Sequence, residues 1–128
     1  MLNIKFTTLN INGINEHVKQ IKLVEYLRQN EIQIVAIQEH NVKVLSKLEY
    51  LNKYYHIILN SSILLKGGTL MLLDRQLPLS IGRVYLHPTS RITTAHVTIF
   101  NVTFFIVNVF APSGKIKRMK EKLYSQMS

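Results

Sequence analysis

A chain of 128 residues and 14.8 kDa forms one domain or part of one, and an apolar content of 47% is ample for a buried core. Sixteen Lys and Arg against seven acids give a net charge of +9 and a pI near 9.9, a balance that favours polyanionic partners, nucleic acid first and anionic membrane second. There is no cysteine for a disulfide or a thiolate metal site, Met1-Leu-Asn-Ile-Lys5 lacks the pattern of a secretory leader, and the apolar run Val102 to Phe110 is too short to span a bilayer. The expectation is an intracellular protein, nuclear or cytoplasmic and not secreted, with no membrane partner and no small-molecule cofactor.

Residues 2 to 9 alternate, with Leu2, Ile4, Phe6 and Thr8 on one side of a strand, and Asn12-Gly13 ends it in a turn. Residues 14 to 30 read as a helix. Asn15 is a good N-cap, Glu16 sits favourably in the first turn, and Ile14, Val18, Ile21, Val24 and Leu27 form one apolar stripe. Residues 32 to 38 are apolar on both faces, as suits a central parallel strand. A helix between two such strands is a crossover. It brings Asn10 and Glu39 to the same carboxyl edge of the sheet, where ligands sit in parallel α/β folds.

Val44 to Leu51 reads as a short helix, with Leu45, Leu48 and Leu51 aligned. From Tyr54 onward the pattern is β: Tyr54 to Leu59, Thr69 to Asp74, Leu79 to Leu86, Ile92 to Phe100 and Val102 to Phe110, punctuated by Gly67-Gly68, Pro78, His87-Pro88 and Asn101. Short connections imply antiparallel pairing, so a βαβ opening feeds a β-meander, and one mixed sheet accounts for the whole. Past Pro112-Ser113-Gly114 the chain closes in a basic helix with Ile116, Met119, Leu123 and Met127 on one face. Its run Lys115, Lys117, Arg118, Lys120 and Lys122 is a solvated face or a nucleic-acid contact.

A lone glutamate at a strand end is more often a surface acid than a ligand. Glu39 stands out because Asn10 is delivered beside it and no lysine or arginine adjoins it in sequence. Magnesium takes only one or two carboxylates and completes its octahedron with water and phosphate oxygens. Asn10 offers an amide donor and acceptor to a phosphate or a metal-bound water; it also suits the start of the turn that Asn12-Gly13 completes. The histidines at 17, 40, 56, 87 and 96 have no ligand spacing, which argues against zinc. His40 is a phosphate contact or a solvent-facing loop residue, and Arg91 a backbone-phosphate contact or the decoration of a strand start. Gly67-Gly68 after Lys66 fits a hairpin turn better than a P-loop.

Three ordered motifs carry a family resemblance: Thr8-Leu-Asn10-Ile-Asn12-Gly13-Ile14, Ile37-Gln38-Glu39, and Asn108-Val-Phe110-Ala-Pro112-Ser113-Gly114. Lys66-Gly67-Gly68 and Ser90-Arg91-Ile92 fall between them. The sequence resembles the endonuclease/exonuclease/phosphatase superfamily, and within it the apurinic-like endonuclease domain of LINE-type (non-LTR) retrotransposons. The resemblance implies the N-terminal half of a four-layer α/β sandwich and DNA as partner. It also implies hydrolysis of a DNA phosphodiester with magnesium, or manganese in its place, leaving a 3′-hydroxyl that primes reverse transcription.

By position, the resemblance makes Glu39 the metal ligand and Asn10 the active-site amide that helps position the phosphate and catalytic groups, with Asn10 also counted among the metal residues. Asn12 stands where many relatives have aspartate, and Phe110 where they commonly have tyrosine; with His40 and Arg91 these are the further phosphate or DNA contacts. The family continues with Gly-Asp-x-Asn, a later aspartate and a closing Ser-Asp-His, none of which is in this sequence. The resemblance therefore implies a domain whose remaining half belongs to a parent polyprotein, and a chain that alone does not nick DNA. Two readings of other kinds stand beside it: a basic nucleic-acid-binding remnant without chemistry, and a phosphatase or sphingomyelinase-like relative of the same fold.

Overall fold

The computed structural model of the chain describes residues 3–64 and 66–111. They form two helices, α1 (His17–Gln29) and α2 (Glu49–Tyr54), and seven strands: β1 (Phe6–Asn10), β2 (Ile34–Gln38), β3 (Tyr55–Asn60), β4 (Thr69–Asp74), β5 (Leu79–Leu86), β6 (Ile92–Ile99) and β7 (Val102–Val109). The strands divide into two sheets, ordered β1-β2-β4-β3 and β5-β6-β7. This mixed α/β architecture replaces the single mixed sheet that residue pattern alone suggests. The division falls at Arg75-Gln76-Leu77-Pro78. There the Asp74 carboxylate accepts the Gln76 N–H at 2.9 Å, and a proline that donates nothing to a ladder sends the chain across to the second sheet.

β1 and β2 are parallel, in register from Phe6↔Ile34 to Asn10↔Gln38, which is the crossover expected around α1. β4 lies antiparallel between β2 and β3. β2 and β4 are buried at every position because both faces are covered. On one side α1 and α2 close a core of Leu27, Val35, Ile37, Leu51 and Leu70. On the other, Ile34, Met71 and Leu73 meet Ala95, Val97, Ile99 and Ile106 of the second sheet.

Three local expectations are corrected. α1 begins after Glu16, while the Asn15 amide donates instead to the Asn41 carbonyl at 2.8 Å. Its buried face is Gln20, Leu23, Val24 and Leu27, and Val18 is 60% exposed. An α-helix turns about 100° per residue, so a run of three-residue steps drifts around it, and Val18 ends on the side opposite Leu27. The helix expected over Val44 to Leu51 is a 3-10 turn, Leu45–Leu48, running into α2 and ending at Tyr54. The basic C-terminal helix and Pro112-Ser113-Gly114 lie outside the described residues. Among those described, no helix is long and apolar enough to cross a membrane.

Candidate functional site

At the carboxyl edge of the first sheet the backbone becomes unusual. Asn12 (φ 50°), Gly13 (94°), Glu39 (57°), Asn41 (60°), Gly67 (114°) and Gly68 (94°) all take left-handed conformations in three adjoining loops. For a residue such as Glu39 this costs on the order of 1–3 kcal/mol and persists only where the surroundings over-determine it. They do so here. The Glu39 N–H donates to the Gly68 carbonyl at 2.9 Å, and the Glu39 carbonyl accepts the Gly13 N–H at 2.7 Å. The next residues repeat the arrangement: Ile14 N–H to the His40 carbonyl at 3.0 Å, and Asn41 N–H to the Gly67 carbonyl at 2.9 Å. Asn41 Oδ1 then accepts the Gly67 N–H at 2.7 Å. Glu39 is clamped between the loop that follows β1 and the turn that precedes β4.

Half-buried Glu39 lines a cleft of about 420 Å³ together with Lys66, Gly68, Ser90, Arg91 and Phe110. Its carboxylate accepts no hydrogen bond and forms no ion pair among the described residues. Asn10, at the end of β1, sits opposite Gln38, one residue from Glu39. Asn10 is exposed, and its amide too is unengaged among the described residues. The two principal residues expected from sequence are thus delivered to one edge by parallel neighbouring strands. Arg91 and Phe110 come together on the far wall, where the Phe110 N–H donates to the Arg91 carbonyl at 2.8 Å. Asn12 lies at the rim, exposed, and its carbonyl accepts Lys19 Nζ at 3.3 Å.

His40 is a correction. It is neither a phosphate contact nor a solvent-facing loop residue, but fully buried. Its Nε2–H donates to the Asn60 carbonyl at 2.9 Å, and its Nδ1 accepts the Val42 N–H at 2.8 Å. Those bonds fix a neutral tautomer, and burial, reinforced by nearby Lys43, holds the imidazole below its ordinary range against the opposing pull of the Asn60 bond. Both nitrogens are committed to structure.

Beneath the cleft runs a band of buried polar side chains that sequence reading passed over. Gln38 Nε2 donates to Thr8 Oγ1 and to Asn108 Oδ1, each at 2.8 Å. Asn108 Nδ2 donates in turn to the carbonyls of Ile37 at 3.1 Å and Leu70 at 2.9 Å. Asn60 Nδ2 reaches the carbonyls of His87 and Ile92, and Thr69 Oγ1 donates to the Ser90 carbonyl at 2.9 Å and sits 2.8 Å from Thr93 Oγ1. The band bolts the start of β6, and with it Arg91, to the carboxyl edge of the first sheet. A signal was present: Gln38, Asn60, Thr69 and Asn108 are polar residues on mainly apolar strands, and all lie toward the same edge.

Among the described residues, no three His, Cys, Asp or Glu side chains gather into a metal cage. The expected donors that reach this edge are one carboxylate, Glu39, which lines the cleft, and the amide of Asn10, whose backbone pairs with Gln38 but which is not among the cleft-lining residues. With the carboxylate unengaged in a cleft wall, that set fits magnesium, which needs only one or two protein carboxylates, and does not fit zinc.

No protein-family model and no curated protein matches the sequence. Solved structures do match in fold. TDP2 from Caenorhabditis elegans aligns over 97% of this chain with a TM-score of 0.70 at 14% identity. D. rerio TDP2, complexed with a single-strand DNA product, aligns over 95% with a TM-score of 0.66 at 15% identity. An AP endonuclease from Archaeoglobus fulgidus aligns over 96% with a TM-score of 0.60 at 20% identity. These proteins are members of the endonuclease/exonuclease/phosphatase superfamily, and this chain shares their fold while spanning 40%, 52% and 50% of their respective lengths.

Proposed function

We propose that the chain forms one wall of a magnesium-dependent DNA phosphodiesterase site and binds the DNA backbone there, as part of an endonuclease domain of the non-LTR retrotransposon type. The observation that carries this reading is Glu39, held in a left-handed backbone conformation by loops on both sides, its carboxylate unengaged in a cleft shared with Lys66 and Arg91. In this reading Glu39 holds the metal, magnesium or manganese, and Asn10 beside it orients the metal's water or a phosphate oxygen. Arg91 and Lys66 supply positive charge for the backbone, since a guanidinium pairs with phosphate in bidentate fashion and an ammonium acts as a point charge. Phe110 provides an apolar wall without a hydroxyl to donate. The metal, when bound, supplies charge stabilisation at the phosphoryl oxygen.

What the cleft lacks among its described residues is a second carboxylate or a free imidazole to take a proton from water; His40 is spent on Asn60 and Val42. Positioned general acid–base groups contribute about 10²- to 10⁴-fold, so the chain by itself binds DNA without efficient hydrolysis. A supercoiled-plasmid assay with magnesium tests this: the account expects no nicking above background. Nicking by the purified chain that disappears in Glu39→Gln overturns the binding-only part while leaving the site assignment intact. The alternative, a basic nucleic-acid-binding remnant, draws on the same solitary carboxylate; it expects DNA binding that neither magnesium nor Glu39→Gln alters.

A further inference from the structure

The loop that follows β1 carries a chemically reactive pair. Asn12 is the only asparagine of the sequence that precedes a glycine. It is exposed, and its side chain has no hydrogen-bond partner among the described residues. In such a pair the glycine nitrogen can attack the asparagine side-chain carbon, because no Cβ beside it hinders the approach. Asn15, Asn30, Asn52 and Asn101 are exposed as well, but Glu16, Glu31, Lys53 and Val102 follow them and obstruct that attack. Asn60 precedes the small Ser61 yet is buried, its Nδ2 donating to the carbonyls of His87 and Ile92.

The same loop carries a brake. The attacking species is the Gly13 nitrogen stripped of its proton, and that N–H is given to the Glu39 carbonyl at 2.7 Å, where base does not reach it. The following N–H, of Ile14, is given to the His40 carbonyl at 3.0 Å. On the other side Lys19 Nζ, from the first turn of α1, donates to the carbonyls of Ile11 at 2.7 Å and Asn12 at 3.3 Å. Asn12 is therefore pinned at φ 50° from both directions.

We propose that Asn12 is a site of spontaneous deamidation, gated by the loop that clamps Glu39. When the Gly13–Glu39 bond opens, the Gly13 nitrogen loses its proton to solvent and bonds to Asn12 Cγ. The Cγ–Nδ2 bond breaks, and Nδ2 takes a proton back from solvent and leaves as ammonia. Water then opens the succinimide ring. Cleavage of the new bond to Cγ restores the backbone with aspartate at this position. Cleavage of the bond from Gly13 to the Asn12 main-chain carbonyl leaves an isoaspartyl link. The balance is one water consumed and one ammonia released.

Either product adds a carboxylate to the rim and takes one unit from the net charge of +9. The isoaspartyl link also inserts a methylene into the backbone ahead of Gly13. That carries the Gly13 N–H off the Glu39 carbonyl and releases one side of the clamp. The chemistry depends on the loop alone, so it is independent of the DNA reading.

Peptide mapping by mass spectrometry, on the full chain incubated at neutral pH and body temperature with and without urea, reads the conversion at each asparagine. Loops open locally for much less than the global stability. Conversion at Asn12 is therefore expected to be about 10- to 100-fold slower in the folded chain than in the unfolded one, each tenfold being ~1.4 kcal/mol of opening. It is also expected to run ahead of every other asparagine in both states. Lys19→Met removes one pin; it is expected to speed conversion of the folded chain and to leave the rate in urea unchanged. Equal rates in the two states, another asparagine converting first, or a folded rate indifferent to Lys19→Met overturns the inference. So does a folded Asn12 still intact well beyond about a hundred unfolded half-lives.

Discussion

Replacing Gly68 by alanine is the sharpest perturbation of the clamp around Glu39. The residue sits at φ +94°, and an added Cβ falls 2.3 Å from His40 Nε2, 2.5 Å from His40 Cε1 and 2.8 Å from the Asn60 carbonyl oxygen. The left-handed conformation costs an L-residue about 1–2 kcal/mol. The imidazole has to move, which strands the buried Val42 N–H and Asn60 carbonyl at about 1–3 kcal/mol each. The expected loss is therefore about 3–8 kcal/mol, a large part of the ~5–15 kcal/mol typical of a domain. Gly67→Ala is the matched comparison. It too has positive φ, +114°, but its Cβ meets only Ser62 side-chain atoms at 3.3 and 3.4 Å, so its cost is mainly conformational, about 1–2 kcal/mol. Urea titrations followed by circular dichroism measure both. Gly68→Ala no more damaging than Gly67→Ala would show that the His40 contact carries no weight.

Asn108→Ala leaves the Ile37 and Leu70 carbonyls and the Gln38 amide without their buried partner, and an expected loss of about 2–4 kcal/mol lowers the urea midpoint; a loss below about 1 kcal/mol contradicts the bolt between the sheets. Burial lowers the pKa of both His40 and His56 in the folded state, with nearby Lys43 and Arg75 acting in the same direction. The unfolded chain then binds more protons, so stability is full above the unfolded value near 6.5 and declines as pH falls from there toward 5; denaturation midpoints that stay flat or rise on acidification contradict this. Arg91→Ala is expected to weaken binding to DNA of any sequence and to lower the slope of log affinity against log salt by about 1. Anisotropy titrations at several salt concentrations check it, and an unchanged slope removes Arg91 from the phosphate contacts.

The opening of the fold was legible in the sequence because its signals are local and redundant. The alternation before Asn10, a helix-length segment, and a doubly apolar strand ending at Glu39 together define a βαβ unit, and β1 and β2 pair as that unit requires. The division into two sheets was not legible in residue pattern, since alternation identifies strands without naming their neighbours; only the family resemblance implied a sandwich. Val18 misled because a three-residue spacing imitates a stripe over two turns and then drifts. His40 misled for a different reason. A histidine beside an acid looks chemical, and its burial depends on Asn60 and Gly68, which are 20 and more residues away. The polar band is the converse case: Gln38, Asn60, Thr69 and Asn108 look unremarkable one at a time and acquire meaning only where the two sheets meet.

In the proposed function, Glu39 and Asn10 make this edge a metal-assisted site for DNA phosphate. The most direct measurement is the affinity of the full chain for a labelled DNA duplex, at one fixed ionic strength, with and without magnesium. Salt-sensitive binding is expected that magnesium strengthens in the native chain and leaves unchanged in Glu39→Gln. The same response to magnesium in both proteins, or none in either, would contradict it and leave only the positive charge of the chain to explain why it binds.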